Sequence, residues 1–431
     1  MATCDDITKV TQEELKEVQE TLSTPHISSA ENTTEPDEEY VIIKQEDLEE
    51  IKETISTLDL PTAIQKLKNF IDQEERVELN IAVTGESGSG KSSFVNAFRG
   101  LGDEDEGSAK TGVVETTMET EVYLHPKYKN VKVWDLPGIG TPNFKADVYL
   151  KDVQFERYDF FIIIASDRFR ECHAQLAKEI MRMEKKFYFI RSKIDTNIDA
   201  ERRKKSFNLQ KTLNVIREDC EKELQNICIK DPVVFLISCF DLSKYDFNLL
   251  QETMEKDLSK HKRRVLMLAI PNITLEINEK KKKALEYDIV KVSILSACVA
   301  AVPVPGLSFA VDLSIVNSEI EKYYSAFGLD DSSLQMLCER SGKTIEELKS
   351  VMKSPLHRGI NPTTILSLLG VASLYASESA VEYACSFIPV LGTMVAGGLS
   401  YVTVSRMLRK ALNELADDAR NVLMTALETE V

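Results

Sequence analysis

Near the N-terminal end of the chain the apolar positions follow a helical rhythm, and further on they gather into short unbroken runs. In "IIKQEDLEEIKETIS" the residues Ile43, Leu48, Ile51 and Ile55 fall on one stripe, which predicts an amphipathic helix. Pro61 then opens "PTAIQKLKNFI", and a proline in the first turn suits a second helix. From residue 78 the pattern becomes "ELNIAVTG", "VKVWDLPG", "YDFFIIIAS", "KFYFIRSKID" and "PVVFLIS", separated by charged stretches long enough for helices. Such alternation predicts a mostly parallel sheet covered on both faces. Sheets of this kind bind ligands at the carboxyl ends of their strands, and every polar signature in the region falls there.

Beyond about residue 255 the pattern is helical again, through "EINEKKKKALEYDIVKV" and "MLCERSGKTIEELKSVM" to "MLRKALNELADDARNVLMTAL". The expected layout is an arm over 1–40, helices over 41–75 that join a helical domain, an α/β nucleotide-binding domain over 76–255, and a C-terminal helical domain over 256–431. Inside the last lie "ACVAAVPVPGLSFAVD" and "ACSFIPVLGTMVAGG", where Pro303 to Gly306 and Pro389 to Gly392 repeat a Pro-Val-x-Gly turn between uncharged flanks. Proline and glycine so placed reverse the chain, which predicts two helical hairpins. The flanks, 292–311 and 383–405, are each long enough for a membrane span, but the central turn argues against one continuous span. Core hairpins and membrane-inserting tips both stay open, with the Lys280 to Lys283 run as a neighbouring basic contact.

Candidate chemistry sharpens the picture. "GESGSGKSS" fits GxxxxGK[ST] directly after a strand and before an amphipathic helix. Glycines Gly85, Gly88 and Gly90 let backbone N–H groups, with those of Glu86, Ser87, Ser89 and Ser93, curl around a polyphosphate. Lys91 reaches the outer phosphates and Ser92 ligates magnesium. In "DLPG", Asp135 is placed to hold Mg2+ through water and the Gly138 amide to face the last phosphate. Between them "KTGVVETTMETEVYL" offers Thr111, Thr116 and Thr117 to close over the metal, and Thr117 is the favoured one. Ile139 stands where the best-known members of this class carry a water-aligning glutamine. It cannot hydrogen-bond, so the group that orients water must come from another loop or from a second molecule.

"FIRSKID" brings Ser192, Lys193 and Asp195 to the end of a later strand, close to the [NT]KxD that reads guanine. A carboxylate at Asp195 accepts from both N1–H and the exocyclic amine of guanine, whereas adenine presents an acceptor at N1 and no C2 amine. Bidentate pairs of this kind are worth about 1–3 kcal/mol of discrimination. Lys193 would lay its stem along the base, and Ser192 departs from the usual Asn or Thr. Ser238 and Cys239, at the end of the last strand, occupy the place where a backbone amide meets the guanine carbonyl.

Charge and cysteine usage narrow the partners. Of the net charge of −17, residues 1–60 hold −13, from 17 Asp and Glu against 4 Lys. That balance disfavours nucleic acid and suits a solvating acidic arm. The 8 cysteines include no CxxC pair, and reduced thiols are expected. The start "MATCDDITKV" and the end "ALETEV" lack the marks of export or lipidation.

Taken together, "GESGSGKSS", "TGVVETTME", "VKVWDLPGIGTPNF", "YDFFIIIASDRF", "FYFIRSKID" and "LAIPNIT" resemble the interferon-inducible immunity-related GTPases. The resemblance is dense from about residue 78 to 275 and looser but collinear in the flanking helices. It implies a P-loop GTPase domain with a helical domain, binding GTP and GDP with Mg2+, in a dynamin-like effector of cell-autonomous defence. Lys91 matches the members that keep "GKS". The resemblance further implies a cytoplasmic protein peripherally bound to intracellular or pathogen-containing membranes. It implies a homodimer or GTP-dependent homo-oligomer paired through the nucleotide faces, with related GTPases as further partners. In that pairing the P-loop glutamate, here Glu86, is implicated in activation. Two other classes stay open: a slow or inert nucleotide-regulated scaffold, which Ile139 keeps alive, and an integral membrane protein with a GTPase domain.

Overall fold

The structure is a computed structural model that describes residues 77–112, 119–139, 145–230, 232–300, 307–361, 364, 365, 368 and 393–427. The acidic arm, the helices expected over 41–75, Thr116, Thr117 and both Pro-Val-x-Gly turns lie outside the described residues.

Six strands form one sheet: β1 (Leu79–Gly85), β2 (Glu121–Leu124), β3 (Val131–Asp135), β4 (Phe160–Ala165), β5 (Lys186–Arg191) and β6 (Val234–Leu236). Their order is β2-β3-β1-β4-β5-β6, with β2 antiparallel to β3 and every other pair parallel. The apolar runs explain this. All six residues of β4, Phe-Phe-Ile-Ile-Ile-Ala, are buried, as a parallel strand covered on both faces requires. Because side chains alternate, Ile81, Val83, Phe160, Ile162 and Ile164 join one core with Phe94 and Phe98 of α1 (Lys91–Phe98). Ala82, Phe161 and Ile163 join the opposite core with Leu176 and Ile180 of α3 (Glu171–Arg182). Each fully buried Phe of α1 contributes roughly 1.5–3 kcal/mol, enough to fix the helix on the sheet.

Around the sheet run α2 (Ala146–Asp152), α4 (Ile194–Glu201), α5 (Leu209–Asn226), α6 (Phe247–Asp257) and α7 (Lys260–Ala269). The parallel register aligns the strand ends: Val83 faces Asp135, Gly85 faces Ile164, Ala165 faces Arg191, and Arg191 faces Leu236. All the turns that carry the nucleotide signatures therefore leave the sheet on one edge.

By contacts the chain divides into two compact units, one holding residues 76–277 and 330–345, the other 278–329 and 346–425. The first thus includes α7 and, returning from far along the chain, α10 (Asp331–Ser341). The sequence places both in the helical region from residue 256 onward. Helical periodicity identifies them as helices but carries no information about which core they join. The helical unit contains most of α8 (Leu275–Ala300), α9 (Leu307–Ala326), α11 (Ile345–Ser350) and most of α12 (Thr393–Leu427). In α12, Val404, Leu408, Ala411, Leu415 and Val422 are buried along one stripe, the pattern of a helix with a single core-facing side. Polar contacts add register: Asn278 donates to the Ala416 carbonyl at 3.0 Å and the Lys281 ammonium to the Ala326 carbonyl at 2.8 Å. Buried Asp418 accepts from the backbone N–H groups of Lys353 and Ser354 at 2.6 and 3.1 Å. Among the described residues no helix is long and apolar enough to cross a membrane.

At the end of β1, Gly85 has φ +151°, and a Cβ there would lie 2.1 Å from the Ile164 carbonyl oxygen. Gly85→Ala is expected to cost more than about 3 kcal/mol in urea denaturation or to prevent soluble expression. Gly107→Ala, at φ +78° with nothing within 4 Å of the added carbon, is expected to cost only about 1 kcal/mol.

Candidate nucleotide site

The loop from Gly85 to Gly90 folds by glycine conformations that other residues rarely adopt: Gly88 has φ +73° and Gly90, the cap of α1, φ +92°. The Ser89 N–H donates to the Glu86 carbonyl at 3.2 Å and closes a turn. Lys91 is buried, and its ammonium donates back to the Glu86 carbonyl at 3.2 Å, so the cation lies across the loop rather than out in solvent. Ser92 Oγ donates to Asp135 Oδ2 at 2.7 Å. A hydroxyl and a buried carboxylate in direct contact beside a glycine-rich loop are the hard oxygen donors that magnesium selects.

The loop after β3 is braced by a residue that local pattern did not reveal. The Tyr149 hydroxyl, on α2, bonds Thr84 Oγ1 at 2.8 Å and donates to the Pro137 carbonyl at 2.9 Å. It ties the end of β1 to the Asp-Leu-Pro-Gly turn and so fixes the position of Gly138. Burial drives its phenol far above the ordinary range, which keeps the hydroxyl protonated as a donor. Ile139 donates its N–H to the Gly85 carbonyl at 3.0 Å and pairs with Glu86 in an isolated parallel bridge. Its side chain is 4 % exposed and packs with Leu136, Ala82 and Phe161. The isoleucine is therefore a core residue and leaves the task of orienting water to other groups.

At the base end, Ser192 is fully buried, and its hydroxyl donates to the Ser89 carbonyl at 2.6 Å. The unusual serine thus ties the base loop to the P-loop. Lys193, in the left-handed region at φ +55°, sends its ammonium to the Gly88 carbonyl at 2.8 Å. The lysine stem consequently spans the gap between the two loops. Asp195 Oδ1 and Ser238 Oγ are buried and without hydrogen-bond partners. A buried unpaired carboxylate oxygen is costly, and here it sits where a donor pair is expected. Beside it the Cys239 thiol is pushed up to about 12, by burial first and then by Asp195.

Glu86 is engaged in a way the sequence did not indicate. Its carboxylate pairs with Arg170 Nη1 at 3.3 Å and accepts from Cys172 Sγ at 3.4 Å, both at the start of α3. With His173 these residues gather three potential donor atoms within 4.8 Å. However, the imidazole Nδ1 already accepts the Arg170 N–H at 3.1 Å and the Arg170 guanidinium stands on the carboxylate. The cluster is an ion pair joined to a helix cap. Thr111 is exposed.

With this geometry in view, comparisons with known proteins define the class. The family described as Interferon-inducible GTPase (IIGP) matches residues 44–426. The chain is 44 % identical over 377 residues to Interferon-inducible GTPase 5 of Bos taurus, covering 86 % of this chain and 80 % of that protein. It is 38 % identical over 367 residues to Interferon-gamma-inducible GTPase 10 of Mus musculus, covering 85 % of each. The chain belongs to the interferon-inducible GTPase family and is a GTPase of the immunity-related kind. Among solved structures it is similar to Toc33 from Arabidopsis thaliana in complex with Mg2+ and GMPPNP, at 12 % identity, TM-score 0.29, and 41 % and 77 % coverage. It is also similar to a variant of S. thermophilus NFeoB bound to GDP.AlF4-, at 14 % identity, TM-score 0.28, and 76 % and 99 % coverage. Likeness at that level adds nothing beyond the family match.

His173 yields a stability prediction. Burial lowers its pKa to about 4, so the folded state favours neutral imidazole while the unfolded chain protonates near 6.5. The contribution is complete above about pH 6.5 and is lost as the pH falls toward about 4, on the order of 3 kcal/mol in all. Urea melts from pH 7 to pH 4 are expected to show that slope. His173→Asn, which keeps an acceptor for the Arg170 N–H, is expected to give a lower but flatter curve.

Proposed function

We propose that the chain binds GTP and GDP at the edge defined by Gly85–Ser93, Asp135–Gly138, Ser192–Asp195 and Ser238–Cys239, and hydrolyses GTP there with Mg2+. The observation that carries this reading is the pairing of two incomplete ends on one sheet edge. One end has Lys91 and the Ser92–Asp135 contact at 2.7 Å; the other has the unpaired buried Asp195 Oδ1. Ser92 and Asp135 are the residues that would hold Mg2+, with Thr117 as the expected third. The ion, when bound, neutralises charge on the phosphate oxygens. Lys91 would turn from the Glu86 carbonyl to the outer phosphates, and the Gly138 amide would face the last of them. Asp195 would accept both guanine donors while Ser238 and the Cys239 backbone line the opposite edge of the base.

The reading extends to assembly. With Ile139 buried, no side chain of the Asp-Leu-Pro-Gly turn orients water, and a second GTPase domain is the source we infer. Glu86 stands at the mouth of the P-loop and is the residue proposed to act across that contact. The protein is proposed to work as a self-assembling effector, cytoplasmic and peripherally attached to intracellular or pathogen-containing membranes, with related GTPases as partners. Within the basic run of the helical unit Lys283 is exposed, whereas Lys281 is buried against the Ala326 carbonyl. A slow nucleotide-regulated scaffold is the alternative, and the buried Ile139 favours it if self-assembly is absent.

Three measurements test these statements. In fluorescent-nucleotide titrations GDP is expected to bind far more tightly than ADP, and Asp195→Asn to shift preference toward xanthosine diphosphate. Equal affinity for GDP and ADP refutes the guanine assignment. Specific GTPase activity is expected to rise with protein concentration, Glu86→Ala to bind nucleotide but lose that rise, and Lys91→Ala to abolish nucleotide-dependent assembly. Flat specific activity over a hundredfold range points to the scaffold. The full chain is expected to float with liposomes and to be released by alkaline carbonate; retention in carbonate refutes peripheral attachment.

A further inference from the structure

In the turn after β3 one peptide unit has its two polar ends treated differently by the fold. The backbone on either side of it is fastened: the Leu136 N–H donates to the Val83 carbonyl at 2.9 Å and the Ile139 N–H to the Gly85 carbonyl at 3.0 Å. Between them lies the peptide that joins Pro137 to Gly138. Its carbonyl accepts from the Tyr149 hydroxyl at 2.9 Å. Its N–H, that of Gly138, has no hydrogen-bond partner among the described residues.

A trans peptide is planar, with its C=O and N–H pointing in opposite directions, and the described residues contain no cis bond. Whatever holds the Pro137 oxygen therefore decides where the Gly138 N–H points. Tyr149 holds it from the buried side, since its hydroxyl also meets Thr84, which is fully buried. The amide is consequently turned away from that hydroxyl pair. Without such a hold this peptide would turn easily. Rotating it changes ψ of Pro137 and φ of Gly138, and glycine accepts either sign of φ at little cost. A half-turn would put a carbonyl oxygen where an anionic phosphate needs a donor.

The hold is itself well supported. Tyr149 has one hydroxyl hydrogen, and a carbonyl can only accept, so that hydrogen goes to Pro137. In the 2.8 Å contact between the two hydroxyls it is then Thr84 that donates. Thr84 is paired with Ile163 in the sheet, one residue before Gly85. Tyr149 belongs to α2, whose Ala146 and Leu150 are buried. The chain from Thr84 through Tyr149 to Pro137 thus refers one peptide plane to a central strand and an anchored helix. Burial keeps the phenol protonated, so the donor persists across the neutral range.

We propose that Tyr149 is a positioning residue for GTP hydrolysis: by fixing the Pro137 carbonyl it presets the Gly138 N–H toward the terminal phosphate, and Thr84 orients the tyrosine. Given the nucleotide reading of this site, on which the assignment rests, the effect is selective. GDP has no third phosphate to meet the amide, so its binding does not draw on the hydroxyl. GTP does, and so does the charge that develops on the phosphate oxygens during its hydrolysis. Tyr149 therefore helps the site tell the triphosphate from the diphosphate without touching either.

The test compares the full-length wild type with Tyr149→Phe, which keeps the ring and removes the hydroxyl, at one fixed protein concentration. The variant is expected to lose about tenfold to a hundredfold in kcat, less than deleting a charge-stabilising donor outright. Its affinity for GMPPNP is expected to fall severalfold while its affinity for GDP stays at the wild-type value, which also shows that the variant is folded. Thr84→Val leaves the bond from Tyr149 to Pro137 in place but removes its support. It is expected to fall between the two proteins, and it carries the test if Tyr149→Phe does not fold. With 13C at proline carbonyls and 15N at glycine, only the Pro137–Gly138 and Pro305–Gly306 bonds hold both labels. The Pro137 carbonyl carbon is expected to move upfield in Tyr149→Phe while that of Pro305 stays in place. An unmoved Pro137 signal overturns the hold, and wild-type kcat with wild-type GMPPNP affinity overturns the positioning role. Equal weakening of GDP and GMPPNP overturns it as well, because the hydroxyl then supports the fold in general. A wild type that binds neither nucleotide refutes the reading of the site itself, before any variant is compared.

Discussion

The nucleotide site depends on the close approach of β1 to β4 at Gly85. Only hydrogen fits against the Ile164 carbonyl there, and that contact decides how the chain leaves the sheet. Once the strand ends in this way, the loop must turn back through Gly88 and Gly90, which places Lys91 under the loop and Ser92 against Asp135. The Ser192 hydroxyl then fastens the base loop to Ser89, and the Ile139 amide fastens the turn after β3 to Gly85 itself. Three separate turns are thereby referred to one short segment of backbone. Their relative positions are a property of the sheet rather than of any flexible side chain.

The residues that were legible in the sequence are those whose chemistry is local. The P-loop, the Asp-x-x-Gly turn and the Ser-Lys-Ile-Asp segment each combine a backbone requirement with a fixed spacing, and each follows a strand whose apolar run can be counted. In sequence, Ser192 reads as a weakened version of the usual asparagine. The hydroxyl donates directly to the Ser89 carbonyl of the P-loop and ties the two loops together. What escaped the sequence was non-local. Tyr149 is an ordinary helix residue until the fold brings it between Thr84 and Pro137. Arg170 and Cys172 meet Glu86 only because α3 begins beside the P-loop. Helices α7 and α10 have the same periodicity as those of the helical unit, and periodicity reports which side of a helix is buried, not which core buries it.

Ile139 and Glu86 are two ends of one arrangement. They share an isolated bridge next to Gly85, one side chain turned into the core and the other toward the start of α3. The burial that removes the isoleucine from solvent is what keeps the bridge in register. The same bridge fixes the backbone from which the glutamate projects. A polar residue at 139 would have to desolvate among Leu136 and Phe161 or break that bridge, so apolar character here is a requirement of packing.

The thiols of the GTPase unit have a consequence for its chemical durability. Burial raises Cys172 and Cys220 to about 11 and Cys239 to about 12, so almost no thiolate is present at neutral pH. Since the thiolate is the species that peroxide and electrophiles attack, the cysteines beside the P-loop and the base loop are protected by their surroundings. Cys228 differs, because it is exposed on a turn at φ +68° after α5. Alkylating reagents in mild conditions therefore meet an accessible thiol at Cys228, while Cys172 and Cys239 beside the nucleotide face present neutral, partly covered sulfur.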